Sequence, residues 1–453
     1  MTLLVEAPAA YVPERRYILD VVLSDWLGLP WELRTGDRAD TRITLAEEPE
    51  GRCIVVPDVL FATAPDAWLT AASLPSVSHS DGLPVLYGAA SDDGGAQLPI
   101  DVFGSAFFML TRYEELAVSD RDAYGRFPAA SSVAVRGGFL GVPIVDAYVE
   151  RLWEALQRTW PRLQRKEHAF EVVLTHDIDD PLATLDHGPS DIARQLGGDL
   201  VRRRDPGLAW QRLRSLGRAR RGDHRLDPHN TYDFLMEVSE RHGLRSAFYF
   251  LAHRDERPRD GAYLFEHPWV RSLIGRIARR GHEIGIHPSH CTYRDAERTR
   301  EELARLRRVT EAEGVQQERW GGRQHFLRWA NPDTWRNWEA AGLDYDSTLA
   351  FSEAVGFRTG TSRPYRAFDL RARRALRLVE RPFQVMDVTL LSSMALSLEA
   401  ARSAVMDIAA QCRRYGGCLG ILWHNNTLLR SAREQRWYAS LIADACTPGV
   451  ARP

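Results

Sequence analysis

The sequence predicts an α/β protein: a parallel β-sheet, open or closed into a barrel, preceded by a smaller α/β block. Three observations carry this. From about residue 166 onward, short apolar runs alternate with amphipathic helical stretches. Reactive residue types fall where those runs stop, which is where parallel sheets place their sites. A polar, charged segment at 161–168, PRLQRKEH, separates this part from an amino-terminal block of mixed pattern. The expected division is 1–165 for an amino-terminal α/β domain and 166–453 for the second domain.

In the first block, strand-like runs lie at 53–56 and 83–87, and helical patterns at 16–27, 100–115 and 145–160. The densest pattern there, 101–115, reads as a helix packed on a core. In the second block, strands are expected at 170–175, 247–251, 283–287, 320–323, 343–347, 378–385 and 418–423. Helices are expected at 231–242, 268–280, 332–341 and 397–415, and at 296–312, where Leu303, Leu306 and Val309 recur at helical spacing. An Arg-rich segment at 186–227 interrupts the alternation. It reads as an insertion of helices joined at Asp205-Pro206-Gly207. A solvated lid or surface excursion is the favoured reading. A phosphate or acidic-polymer contact is the alternative.

Composition excludes several classes. The chain has 453 residues, 44% hydrophobic and 26% charged, as an ordinary globular protein does. A net charge of −2 points to no obligate nucleic-acid or membrane-surface partner. Lys166 is the only lysine, so the positive charge is nearly all arginine. No apolar stretch is long enough to span a membrane. The amino terminus lacks a basic segment followed by a long apolar core, so no signal peptide is expected. The five scattered cysteines, Cys53, Cys291, Cys412, Cys418 and Cys446, read as free thiols in a reducing compartment. The expected location is cytoplasmic.

The chemistry concentrates in two segments. Thr175-His176-Asp177-Ile178-Asp179-Asp180 places three carboxylates just past an apolar strand. Their repulsion must be offset by a cation, a shared proton or water. Asp177 and Asp179, two apart, share a side of an extended chain, so one can ligate a metal while the other faces substrate water. The plain alternative is an Asp-rich turn stopped by Pro181. Gly281-His282-Glu283-Ile284-Gly285-Ile286-His287-Pro288-Ser289-His290-Cys291 brings two histidines, His287 and His290, to another strand end at ligand spacing. The alternative is a pair of loop histidines with ordinary hydrogen bonds. Finding both segments at adjacent strand ends favours the metal.

The second block resembles the polysaccharide-deacetylase family, the NodB-type carbohydrate esterases, over about residues 168–440. The likeness rests on Thr175-His176-Asp177 with a second acid at Asp179, on Gly281–Gly285 leading to His287, on Arg323 in GGRQHFLRW, and on Leu422-Trp423-His424. It implies a distorted (β/α) barrel and a metal-dependent amide hydrolase. Asp177 would be the general base, Arg323 its ion partner, and His424 the acid that protonates the leaving amine. Asp179 and His287 would be metal ligands. The implied cofactor is a divalent cation, Zn2+ first, with Co2+, Mn2+ or Ni2+ as alternatives. The family's second ligand histidine stands four residues after the first, where this chain has Cys291. Three readings follow: His290 reaches the metal through a different turn, the Cys291 thiolate ligates, or these motifs supply two ligands only.

Other residues carry weaker expectations. Asp346 orients substrate or Arg323, or simply caps a turn. His325, Arg328 and Trp329 line a sugar subsite, with the indole stacking on a pyranose, unless the tryptophan is core. Glu380 and Asp387 read as structural, and His187 as a loop residue. The first block resembles an uncharacterised amino-terminal domain that accompanies some bacterial deacetylase-like proteins, a likeness that names no activity. The leading reading removes an N-acetyl group from a sugar or saccharide intermediate, and an intracellular site favours a nucleotide-linked, lipid-linked or small glycoside. The alternatives are a C–N hydrolase on a small non-sugar amide and a catalytically silent carbohydrate-binding homologue. The expected partners are thus a saccharide or small amide, with no nucleic acid.

Overall fold

A computed structural model describes residues 1–80, 82–88, 98–185, 188–202, 204–219, 221–253, 260, 263–427 and 431–447. The first block opens with strands β1 (Leu3–Pro8), β2 (Trp31–Gly36), β3 (Asp40–Leu45) and β4 (Ile54–Pro57), in the sheet order β2-β1-β3-β4. Of these, only β4 was expected. A hairpin of β5 (Ser78–Ser80) and β6 (Leu83–Val85) follows. The expected helix at 100–115 is Val102–Leu110, begun by Asp101, whose carboxylate accepts from the Gly104 N–H at 2.8 Å. Every residue of it is buried, because it packs on all sides. The helix Ile144–Thr159 is amphipathic and buries Tyr148, Leu152 and Leu156.

In the second block, β7 (Glu171–Ile178), β8 (Ala247–Phe250), β9 (Glu283–Ile286), β10 (Gly321–Gly322), β11 (Tyr345–Asp346), β12 (Tyr365–Asp369), β13 (Arg374–Glu380), β14 (Val385–Met386) and β15 (Cys418–Leu422) form one sheet. Its order is β12-β13-β11-β10-β9-β8-β7-β15-β14. All neighbours pair in parallel except β12 with β13. The parallel sheet matches the sequence reading. The ladder keeps two edges, β12 and β14, and among the described residues no strand pairing joins them. Hydrogen bonding therefore does not close the expected barrel.

Capped amphipathic helices connect the strands. Asp295 opens Ala296–Ala312 by accepting from the Glu297 and Arg298 N–H groups, and the helix buries Leu303, Leu306 and Val309. Each such side chain contributes roughly 1.5–3 kcal/mol. The single strand expected at 378–385 is divided: β13 ends at Glu380 and a turn leads into β14. In the expected insertion, helices Pro189–Gly197 and Pro206–Ala219 flank Asp205. His187 lies outside the described residues.

One apolar core runs through both blocks, from Leu3 and Phe107 to Phe368 and Leu441. Polar contacts cross as well. The Arg358 guanidinium donates to both Glu115 oxygens at 2.8–3.0 Å, and Arg112 donates to Glu115 at 2.9 Å and to the Arg358 carbonyl. All three are buried. Burial pushes the Glu115 carboxyl up, but the two guanidinium groups outweigh it and hold it below its ordinary value. Glu115→Ala leaves the buried Arg358 without its carboxylate, while Arg112 keeps Glu114 at 2.7 Å, and is expected to cost about 3–5 kcal/mol. Urea unfolding measures this, and a loss under about 1 kcal/mol would show that the network does not join the blocks.

Candidate functional site

The parallel sheet carries its reactive residues at the carboxyl ends of its strands. Asp177 is near the end of β7 and Asp179 just beyond it. His287 follows β9, Arg323 follows β10, Asp387 follows β14, and His424 stands two residues past β15. Glycine makes the β9–β10 junction possible. A Cβ on Gly322 would lie 1.8 Å from the Ile286 carbonyl oxygen, so only glycine lets β10 approach this closely. The approach puts the Arg323 carbonyl 2.6 Å from His287 Nδ1. That contact assigns the proton to Nδ1 and leaves Nε2 facing the cleft.

Asp177 and Arg323 meet as expected. Arg323 Nη1 donates to Asp177 Oδ1 at 2.8 Å and to Thr175 Oγ1 at 3.0 Å. Its Nε and Nη2 donate to the Ser347 carbonyl and hydroxyl at 2.7 and 3.0 Å. The guanidinium is wedged 4.2 Å from the Phe383 ring centroid and 5.2 Å from that of Tyr249. It is fully buried, so it holds one orientation.

The possible metal ligands differ from the sequence expectation at one position. Asp179, His287 and His325 offer ligand atoms within 4.8 Å of one another. Asp179 Oδ1 is 3.2 Å from His287 Nε2 and 3.6 Å from His325 Nε2. His290 is not in this group. Its backbone N–H is tied to Asp260 Oδ1 at 2.8 Å, and its Nδ1 lies 2.9 Å from Arg328 Nη1. The turn after Pro288 thus aims the ring at Arg328 and Phe326. Cys291 Sγ is 3.7 Å from His290 Nδ1 and also lies outside the group. His325, expected to touch sugar, takes the third place. Its Nδ1 is 2.8 Å from the buried Asp260 carboxylate, which turns Nε2 toward Asp179. A carboxylate behind a ligand histidine is the usual support of a metal site.

These residues fit a divalent cation. Asp179 Oδ1 is buried and accepts no well-formed hydrogen bond although two imidazole nitrogens lie within 3.6 Å. Oxygen and nitrogen donor atoms converging this closely suit a shared divalent ion. Burial pushes the Asp179 carboxyl up, but His325, His287 and His424 outweigh it and hold it well below the carboxylate range. Burial lowers His287, yet Asp177 and Asp179 raise it above its ordinary value. A cation would supply the positive charge these carboxylates otherwise draw from a protonated ring.

His424 faces the same cleft, its Nε2 3.8 Å from Asp179 Oδ2. Asp387, read from sequence as structural, pairs with it: Oδ1 is 2.7 Å from His424 Nδ1, and Oδ2 accepts the His424 backbone N–H at 2.9 Å. Burial lowers His424, but Asp387 and Asp179 outweigh it and push it up to about 10. His176 points away, bonded to the Trp423 carbonyl at 2.7 Å, and burial takes it down to about 4.

Two expected substrate residues are not on the cleft. Trp329 is 1% exposed and packs edge-on to Trp335, with centroids 4.7 Å apart. An indole with both faces in the core has none left for a sugar. Asp346 is fully buried beneath Arg323 and accepts from the Thr348 hydroxyl. Burial pushes its carboxyl up to about 7. Glu380, buried as well, accepts from Trp335 Nε1 at 3.0 Å, as a structural residue would.

Residues 3–161 match a family of unknown function, DUF7033. No curated protein matches the chain. Similar solved structures include a Mycobacterium smegmatis protein assigned as a polysaccharide deacetylase: identity is 18%, coverage 62% of this chain and 85% of that one, and TM-score 0.41. They include a Pseudomonas aeruginosa PAO1 protein assigned likewise, at 16% identity, coverage of 61% and 83%, and TM-score 0.36. The Xyl-CE4 domain of a multidomain xylanase from the hindgut metagenome of Trinervitermes trinervoides is a third, at 11% identity, coverage of 62% and 82%, and TM-score 0.28. No helix among the described residues is long and apolar enough to cross a membrane.

Proposed function

We propose that this chain is a metal-dependent hydrolase that removes the N-acetyl group from a sugar or saccharide intermediate. The observation that carries the reading is one cleft holding three kinds of group. It has a candidate cation site at Asp179, His287 and His325, a buried Asp177 clamped by Arg323, and a His424 backed by Asp387. Amide hydrolysis needs each of these functions. When bound, a divalent cation supplies Lewis acidity toward the amide carbonyl and toward water.

The chain's own residues do the proton work. Asp177 accepts a proton from the attacking water, and Arg323 aims that carboxylate. The C–N bond breaks, His424 gives its proton to the leaving nitrogen, and the products are acetate and a free amine. Asp387 fixes the His424 ring by its Nδ1 so that Nε2 is the nitrogen presented. A silent binding module would have no use for base, clamp and acid together. One observation favours a second reading, hydrolysis of a small non-sugar amide: the buried Trp329 removes the expected sugar-stacking surface.

The test is acetate release by the full chain, stripped with a chelator and reloaded with Zn2+ or Co2+. N-acetylglucosamine oligosaccharides, N-acetylhexosamine glycosides and N-acetylated alkylamines are offered in parallel. Metal-dependent acetate from the saccharides supports the proposal. Acetate from the alkylamines alone moves the assignment to the second reading, and none from any substrate ends the hydrolase assignment.

A further inference from the structure

We infer that the amino-terminal block supplies a strap, residues 122–126, that positions the third metal ligand, and that Arg126 and Tyr124 are its positioning residues. The inference rests on the cation site proposed above. It starts from the backbone beside His325. Phe326 and the next residue, Leu327, both have left-handed φ angles, 60° and 54°. Neither is glycine, and such a conformation costs of order 1–3 kcal/mol per residue unless its surroundings enforce it. This turn directly follows His325, so the contacts that hold it bear on where His325 points.

The holding contacts come from about 200 residues earlier in the chain. Arg126 Nη1 donates to the Phe326 carbonyl at 3.1 Å. The Tyr124 ring lies against Phe326 with centroids 5.1 Å apart, and the Arg126 guanidinium sits 4.9 Å from the Tyr124 centroid. Phe326 in turn stands 4.7 Å from the His325 ring, edge to face. The strap is itself locked. One Asp122 oxygen accepts the N–H groups of Tyr124 and Arg126 at 2.8 and 2.9 Å, and the other accepts Arg126 Nε at 2.7 Å. Gly125, at φ 78°, makes the turn, and a Cβ there would meet Arg328 Nη2 and Tyr293 Oη at 3.5 Å.

Two supports therefore converge on His325. Asp260 fixes the ring from the Nδ1 side, and the strap fixes the backbone that carries it. Such contacts act on metal affinity through the ligand they hold. Loss of a supporting partner typically weakens binding about ten- to a hundredfold. This gives the first block a task in the second block's chemistry, and it predicts that the two must fold together for the site to load.

The experiment is Co2+ titration of the metal-stripped full chain, read by the visible absorption of bound cobalt, on wild type, Arg126→Ala, Arg126→Lys, Tyr124→Ala, Tyr124→Phe and His325→Ala. Arg126→Ala and Tyr124→Ala should weaken Co2+ binding about tenfold or more, with the thermal midpoint of the metal-free protein unchanged. Tyr124→Phe keeps the ring contact and should bind as wild type, and Arg126→Lys should recover part of the affinity. Wild-type affinity in both alanine variants, with binding lost in His325→Ala, overturns the strap alone. Absence of Co2+ binding in wild type overturns the cation site and the strap together. If the metal-free Arg126→Ala melts early, Tyr124→Ala against Tyr124→Phe decides the matter.

Discussion

His325→Ala is expected to abolish stoichiometric metal binding, whereas His290→Ala leaves one cation in place. The pattern of histidines three residues apart favours His290. The geometry favours His325, because its Nε2 stands 3.6 Å from Asp179 Oδ1 while its Nδ1 is held by Asp260. Losing a ligand outright should exceed the ten- to hundredfold loss typical of a supporting partner, so His325→Ala should retain no cation after dialysis. His290→Ala trims a residue that contacts Arg328 and the Phe326 ring, and any effect should stay within the supporting range. Metal analysis of dialysed proteins, with Asp179→Ala and His287→Ala as positive controls, measures this. A full complement in His325→Ala, or an empty site in His290→Ala, would sink the assignment.

That difference shows where the sequence stops being legible. Residues at strand ends could be read, because a parallel sheet delivers them to one edge whatever the loops do. Asp177, Asp179, His287, Arg323 and His424 all arrived that way. His325 reads from the sequence as a sugar contact, since three residues past a two-residue strand its direction depends on a turn. That turn is left-handed at Phe326 and Leu327, a conformation no propensity predicts for these residue types. Asp260 carries no signal in the sequence, and only the fold brings it to His325.

Asp387 was missed for another reason. The run 378–385 reads as one strand, and Asp387 two residues past it reads as structural. The chain instead ends β13 at Glu380, turns, and starts β14 at Val385 beside β15. Two residues later Asp387 meets His424. Trp329 failed the opposite way, because a large aromatic near a reactive motif invites a binding role while burial is its commoner fate. The first block's strands β1, β2 and β3 are not expected from the sequence; in β2 the alternation of Trp31 and Leu33 with Glu32 and Arg34 is short, and the strand is largely exposed.

Asp177→Asn should lower acetate release by about 10²–10⁴-fold, the usual worth of a positioned general base, with the cation still bound. The asparagine keeps the shape and the contact with Arg323 Nη1 through its carbonyl oxygen, but it cannot take a proton from water. Asp177 Oδ2 is 3.8 Å from His287 Nε2, and Asp177 is not in the group formed by Asp179, His287 and His325. Metal content should therefore stay near that of wild type. His424→Ala should show a comparable fall on an N-acetylated amine yet recover on an activated aryl acetate, whose leaving group needs no proton. Asp177→Asn should recover on neither, because both substrates still need water made nucleophilic. Kinetics on the two substrate types with the two variants separate base from acid. If Asp177→Asn stays within tenfold of wild type, or if it loses its metal, Asp177 is not the base.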